Sequence, residues 1–450
     1  MSGLAERNGG RAGLLALALI LLLGLGLRVN EAWQGRDPVF DAAAYATIAA
    51  NLDRGDGFTL GPGATQPASN YSPGLPLFAA GIYKLTGGVH ERLVRVILAL
   101  LGTLSVLFAY LIAHRLRRSM DRAHSGVSDA SSAVAGLIAA GVVAIYPALL
   151  EYQGMLMGEP LAAALLSGAV LAALWASDTG RERSARERWL LPGALFGLLA
   201  LVRPEYLGVA LLVSLVVLGR YWRADWHRGL TFGVVFLLGV AVVVVPWTVR
   251  NAVALDRFVP ISTGGGQVLF AGTYLPSDGD PERVGAEVVG RHPRLFGPGA
   301  VGNLRLEQIL ARLAAHRYPG LETDKALSRM GREQLWDDIS EEPLEYAGFV
   351  AVKVGRIWSH GPRDVMREPI WELLHWALVA FGLIGLVVLG LRRRWEALLL
   401  ATIFLAITAI SALLVASPRR VLVMMPVVAA LAGVGISWLA NALQSKRLSN

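Results

Sequence analysis

The chain has 450 residues, 54% of them apolar and only 17% charged, with a net charge of +8 and no cysteine. This excludes a disulfide-stapled secreted scaffold, a cysteine-ligated zinc or iron–sulfur centre and a cysteine nucleophile. Too little charge is present to cover a soluble body of this size, which leaves a membrane protein.

Ten apolar runs follow one another at about 12–28, 93–113, 133–150, 159–176, 189–202, 205–221, 229–247, 371–391, 395–415 and 419–440. Each approaches the length needed to cross a bilayer core, and in lipid each must be a helix, because its backbone groups have no water to bond. The fold class expected is an all-α polytopic membrane protein with about ten transmembrane helices. The first run follows Arg7 and Arg11 as a signal peptide would, but Arg28-Val29-Asn30-Glu31 offers no small-x-small cleavage site, so it reads as a retained anchor.

Arginines cluster at alternate connections: Arg115, Arg117, Arg118 and Arg122; then Arg181, Arg183, Arg186 and Arg188; then Arg220, Arg223 and Arg228; then Arg392 to Arg394. Positive residues mark the cytoplasmic side, so both termini, 1–11 and 441–450, are expected there. The basic balance is thus a topology signal, and no basic soluble face for nucleic acid exists. The parts expected are a catalytic membrane module over 12–247, an outer region over 248–370 and three closing spans over 371–440. The stretch 189–221 fits either a hairpin at Leu201-Val202-Arg203-Pro204-Glu205 or one kinked span.

The first outer connection, 29–92, is the most informative. Tyr45, Ile48, Ala49 and Leu52 share a helical face, so a short amphipathic helix is predicted along the membrane surface. Asp41 stands where its N-cap belongs. It is either that cap or a carboxylate held at the water–lipid boundary, the fixed position a general base needs. Asn70-Tyr71-Ser72-Pro73-Gly74 leads into a second short helix at about 75–86, with Tyr71 as an aromatic anchor. Asn70-Tyr71-Ser72 also matches a glycosylation sequon, a pattern frequent by chance.

Asp-x-x-x-Tyr-x-x-x-Ala-x-Asn-Leu-x-x-Gly-x-Gly-Phe-Thr from Asp41, followed by Tyr71-x-Pro73-Gly74-x-Pro76-Leu77-Phe78, resembles the first outer loop of bacterial polyprenyl-phosphate-dependent glycosyltransferases of the GT-C class. The branch is that of protein O-mannosyltransferases, lipid A aminoarabinose transferases and rhizobial lipopolysaccharide core transferases. Gly158-Glu159-Pro160-Leu161, Leu201 to Glu205, Pro246-Trp247-Thr248-Val249-Arg250-Asn251 and Pro418-Arg419-Arg420-Val421 extend the resemblance over most of the chain.

The resemblance implies a transfer of sugar from a polyprenyl-phosphate donor to a hydroxyl on a glycan, lipid or protein, at the outer face of a bacterial plasma membrane, among membrane lipids. Asp41 would be the base. Glu159 would be a second acid, placing the acceptor or a metal, with Glu151 a weaker candidate for that work and Tyr45 and Tyr71 beside the substrate. Arg203, Arg250, Arg419 and Arg420 lie on the outer side against the positive-inside bias. They either snorkel to headgroups or bind the donor phosphate. The resemblance fixes no cofactor and leaves room for a divalent cation. Ala42 follows Asp41 where protein mannosyltransferases carry Asp-Glu, and Ser72-Pro73-Gly74 stands where aminoarabinose transferases have Lys-Pro-Pro.

In the second outer connection, Thr263-Gly264-Gly265-Gly266-Gln267 is not a phosphate loop and reads as a turn. Helices are predicted at about 323–340, with an apolar stripe of Leu327, Met330, Leu335 and Ile339, and at 343–358 from Pro343. His292, His316 and His360 lack metal-like spacing, and His360 and Lys353 are distant candidates for the phosphate. A transporter or flippase, and a ligase of lipid-linked glycans, are the alternative readings; a transporter should carry mid-span acids and inverted repeats, which are missing here.

Overall fold

The computed structural model describes all residues except 1, 39, 62–65, 122–128, 179–184, 279, 281, 298, 360 and 450. His360, Arg122, Arg181 and Arg183 therefore lie outside the described residues. The first half comprises α1 (Ser2–Gln34), α2 (Asp41–Arg54), α3 (Gly74–Thr86), α4 (Glu91–Asp121), α5 (Asp129–Ile145), α6 (Pro147–Glu151), α7 (Glu159–Ser177), α8 (Leu190–Val202) and α9 (Tyr206–Leu255). The second connection forms α10 (Gly265–Thr273), α11 (Val284–Arg291), α12 (Ala300–Asn303), α13 (Leu306–Arg317), α14 (Thr323–Glu341) and α15 (Pro343–Ser359). The chain closes with α16 (Pro369–Leu391), α17 (Trp395–Leu413), α18 (Pro418–Leu422) and α19 (Met425–Ser449). Among the described residues no strand forms beyond two isolated bridges.

Seven of these helices are long and apolar enough to cross a membrane, and eight if the bent pair α5–α6 counts as one span. The ten expected runs are recovered once α9 is divided and α8 is added. α9 breaks at Asp225, whose backbone turns extended (φ −163°, ψ 91°). The Asp225 carboxylate accepts from the Arg228 N–H at 3.1 Å and so caps the second limb. α8 is a separate helix of 13 residues, about 20 Å long, so the stretch 189–221 is a hairpin. It packs on the second limb of α9 through Gly193 and Gly239, where a Cβ would run into the facing backbone.

Arg28 explains the break after α5. It is fully buried, and its guanidinium donates to the carbonyls of Gly24 (3.1 Å), Ala144 (3.1 Å) and Val143 (2.8 Å). The last carbonyls of α5 thus find a donor inside the bundle, and Pro147 starts the next helix at a 54° bend.

The two long connections meet at one end of the bundle. The Thr263 N–H donates to the Ser69 carbonyl at 2.7 Å, and the two hydroxyls lie 3.0 Å apart. Gly264 is not a loose turn: it caps α10 in the left-handed region (φ 91°). Gly266 then lets α10 touch the α14 backbone at Asp324, whose carboxylate takes the Gly266 N–H at 2.9 Å. The second connection has its own apolar core, built on Phe270, Val288, Phe296, Leu310, Leu313 and Leu327. It docks on the bundle where Gly272 meets the Leu414 backbone, and Lys353 fastens the joint by donating to the Gly272 carbonyl at 2.5 Å.

Candidate active site

Four segments far apart in sequence converge here. α2 begins with Asp41; its N-cap is Phe40, at a positive φ (48°, ψ −121°) and without a side-chain cap. The Asp41 carboxylate is therefore not spent on its own helix, and the helix is pinned at its other end by Asn51, which donates to the Thr59 carbonyl at 2.9 Å. α7 begins with Glu159. The turn from α8 to α9 holds Arg203 in an extended conformation between Val202 and Pro204. α18 presents Arg419 and Arg420.

Glu159 is the centre, with 1% of its side chain exposed. Its Oε1 accepts from Arg203 at 2.6 Å and from Arg419 at 2.7 Å. Arg419 then reaches on to Asp41 Oδ2 at 3.1 Å, so one guanidinium joins the two carboxylates. Glu205 carries a second layer, 3.9 Å from Arg203 and 3.7 Å from Arg420. Arg420 also donates to the Val415 carbonyl at 2.7 Å. Three acids and three arginines balance in charge. Asp41 is the open member, with 44% of its side chain exposed.

Burial alone would lower the Arg203 guanidinium, but Glu159 and Glu205 outweigh it and hold it above its ordinary value. The same opposition raises Arg419, chiefly through Glu159. In Arg420 burial wins and lowers it. Burial pushes the Tyr45 phenol up to about 12, with Arg203 pulling the other way, so Tyr45 remains a hydroxyl donor at any ordinary pH. Tyr71 meets Tyr45 edge to face at 5.9 Å and lies in the field of Asp41. Both tyrosines thus line the Asp41 side of the cluster.

Two expected residues stand apart. Arg250 donates to its neighbour Asn251 at 3.1 Å and stacks over Trp247 at 4.8 Å and Phe58 at 5.6 Å. It joins the end of α9 to the first connection and makes no contact with the acids of the cluster. Glu151 forms a second cluster: its Oε1 takes Arg36 and Arg363, each at 2.7 Å. Tyr152 lies between the two, within electrostatic reach of Arg363 on one side and of Glu159, Arg419 and Arg203 on the other.

Arg36 and Arg363 were not singled out from the sequence, and nothing in their local pattern announces a partner. Arg363 carries a signal only in three dimensions, a non-glycine residue at φ 103°. Among the described residues no group of three or more His, Asp or Glu side chains is placed to hold a metal. Between Asp41 and Glu159 the positive charge is the Arg419 guanidinium, so the pair does not form a ready metal site.

No family model matches the chain, and no curated protein does. Solved structures do. The oligosaccharyltransferase from Archaeoglobus fulgidus in its apo form superposes with a TM-score of 0.57 at 18% identity, over 97% of this chain and 51% of that one. The same archaeal enzyme, AglB, in complex with an inhibitory peptide and a dolichol-phosphate gives 0.55 at 18% identity over 97% and 51%. ArnT from Cupriavidus metallidurans bound to undecaprenyl phosphate aligns over 94% of this chain and 78% of that one, at a TM-score of 0.41 and 15% identity. The chain spans about half the length of the archaeal enzyme. The fold is therefore that of the GT-C membrane glycosyltransferases: a polytopic helical membrane protein.

Proposed function

We propose that the chain is an inverting glycosyltransferase that moves a sugar from a polyprenyl-phosphate donor to a hydroxyl acceptor at the extracytoplasmic face. The observation that carries this reading is the Arg419 guanidinium shared by Asp41 and Glu159. It places a partly open carboxylate beside a cation whose other hand is held by a buried acid. That combination suits a base and a leaving-group partner for one displacement.

The acceptor hydroxyl loses its proton to Asp41 as its oxygen attacks the anomeric carbon. The bond from that carbon to the phosphate oxygen breaks, and its electron pair stays on the phosphate. Arg419, Arg203 and Arg420 meet the charge that grows there. Arg419 has a double use. Before donor binds, it covers Asp41; a phosphate, with more charge and more oxygens, draws it away and frees the base. Glu159 keeps the two arginines in place, since an acid gripped by both fixes their planes. Tyr45 and Tyr71 border the acceptor, and Glu151 supports that border through Arg36 and Arg363. Arg250 is in our reading a holder of the first connection rather than a phosphate ligand, because its guanidinium is taken up by two aromatic faces and Asn251.

Asp41→Asn keeps the shape and removes the base. The expected outcome is a 10²- to 10⁴-fold loss of sugar transfer, roughly the worth of a general base, with unchanged yield and polyprenyl-phosphate binding that is kept or tightened as Arg419 loses its competing partner. Wild-type turnover in that variant, measured with labelled lipid-phosphate sugar, overturns the role of Asp41.

A further inference from the structure

The end of the bundle opposite Asp41 and Glu159 is strongly positive where two segments meet. One is the break in α9, residues 220–228; the other is the turn from α16 to α17, residues 392–396. They touch where the Arg220 guanidinium stacks over the Trp395 ring at 4.4 Å. Together they hold six arginines against two acids, Asp225 and Glu396.

Positive-inside placement explains the sign of this charge but not its arrangement. α9 folds back on itself at Asp225: Gly229 lies against the Leu218 backbone and Gly233 against that of Ser214. Trp222 and Trp226 therefore stand side by side at the apex of a hairpin, their rings 6.4 Å apart and the residues 57% and 47% exposed. Both acids are spent. The Asp225 carboxylate caps the second limb through the Arg228 N–H, and Glu396 accepts from Arg394 at 3.2 Å. Arg392 donates to the Met120 carbonyl at 3.2 Å. Arg220, Arg223 and Arg393 are exposed and have no carboxylate partner among the described residues. Arg220 is nonetheless held in place, stacked by Tyr221 at 5.3 Å as well as by Trp395. A guanidinium stacked on rings keeps its N–H edge for an oxyanion.

The surroundings decide which oxyanion. Leu215 and Leu230 on α9, Leu391 at the end of α16 and Leu398 on α17 are all exposed, and each lies within two turns of one of these arginines along its own helix. A free phosphate would leave that apolar surface and the two tryptophans unmatched. An amphiphile matches all three parts: tryptophan favours the water–lipid boundary, arginine meets a headgroup phosphate, and acyl chains cover the leucines.

We propose that this junction is a binding site for an acidic phospholipid, with its headgroup phosphate on Arg220, Arg223 and Arg393. The site does not rest on the transferase reading. It bridges the first limb of α9, which begins at Tyr206 directly after Arg203 and Glu205, and α17, which leads to Arg419 and Arg420. The two helices it ties together thus lead to the arginines of the candidate active site at their far ends.

The test titrates the full chain, in a nonionic detergent, with dioleoyl phosphatidylglycerol or dioleoyl phosphatidylcholine, and reads retention by native mass spectrometry and thermal midpoints alongside. The two lipids share their chains and differ in headgroup charge. The wild type should retain one phosphatidylglycerol in preference to phosphatidylcholine and gain thermal midpoint with it. Glycerol phosphate, a headgroup without a tail, should not displace it. Arg220→Gln, Arg223→Gln and Arg393→Gln should each weaken retention about fivefold, the worth of one arginine near an anionic lipid, and the triple variant should lose the midpoint shift. Midpoints without lipid report whether each variant folds. Arg11→Gln removes the same charge at the same end of the bundle, but from α1, which packs on α4 and α5; it should leave retention unchanged. Equal retention of the two lipids, equal losses at Arg11 and Arg220, or a triple variant that binds like wild type each overturns the proposal. Displacement by glycerol phosphate would make this a site for a free anion and overturn it as well.

Discussion

Glu159 and Glu151 lie eight positions apart in sequence and make the same local bond, one carboxylate oxygen accepting from two arginines. In both, the second oxygen is buried without a partner. Yet the two clusters differ in what lies beyond them. Glu159 is 1% exposed and its partner Arg419 continues to Asp41. Glu151 is 14% exposed, and its partner Arg36 continues only to the nearby Glu31 at 3.8 Å. The first ends in Asp41, hydrogen-bonded at 3.1 Å and 44% exposed; the second ends in Glu31, held only at 3.8 Å and 30% exposed. Ion pairing alone therefore says little about chemistry, and the third residue decides.

The largest effect that would sharpen this contrast comes from Glu159→Gln. It takes from Arg203 and Arg419 the acid they share and leaves only Glu205 and Asp41 beside them, which should cost up to about 3 kcal/mol. The matching Glu151→Gln, nearer to solvent, should cost roughly 1 kcal/mol. Thermal denaturation of the two variants side by side reads the difference, and equal losses would erase the distinction between the clusters. Next comes Arg419→Lys. A lysine keeps the charge but cannot span two carboxylates, so turnover should fall about tenfold with little change in thermal midpoint. A turnover equal to wild type would mean that the bridge is structural.

Lys353 supplies a test by pH, as a buried cation with no carboxylate partner among the described residues. Burial pushes its ammonium down to about 7, with Arg420 and Arg356 adding to the push. The folded value lies below the ordinary 10.5. Below pH 7 the group is charged folded or unfolded and the penalty is complete; it fades as pH rises toward 10.5. The thermal midpoint should therefore climb from pH 7 to about 9.5 in the wild type, and Lys353→Met should flatten that slope. An identical slope in both would acquit Lys353.

The sequence made the spans legible because hydrophobic length is a local property. It left open only whether 189–221 is a hairpin or one kinked span, because α8 is short and its turn holds just Arg203, Pro204 and Glu205. α14 and α15 were legible for the same reason: Leu327 and Met330 mark a stripe, and Pro343 marks a start. Asp41 misled as a cap, since the backbone at Phe40 turns the chain so that the side chain faces Arg419 instead. The meeting of Asp41, Glu159, Arg203 and Arg419 was legible only as a set of residue types at one end of the bundle. Which of four arginines touches which acid depends on side-chain reach over hundreds of residues, and that left Arg250 grouped with the others. The Arg36–Glu151–Arg363 cluster has no periodic or motif signal at all.

The span of these contacts along the chain sets an order of assembly. Arg203 finds Glu159 from 44 positions away, but Arg419 reaches it from 260 and reaches Asp41 from 378. During synthesis the inner acid acquires its first arginine early and its second only when α18 emerges. A ribosome that stalls upstream of Pro418 releases a bundle whose outward carboxylate has no counter-charge. Competence of the site thus waits on α18, the last of its four segments to be made.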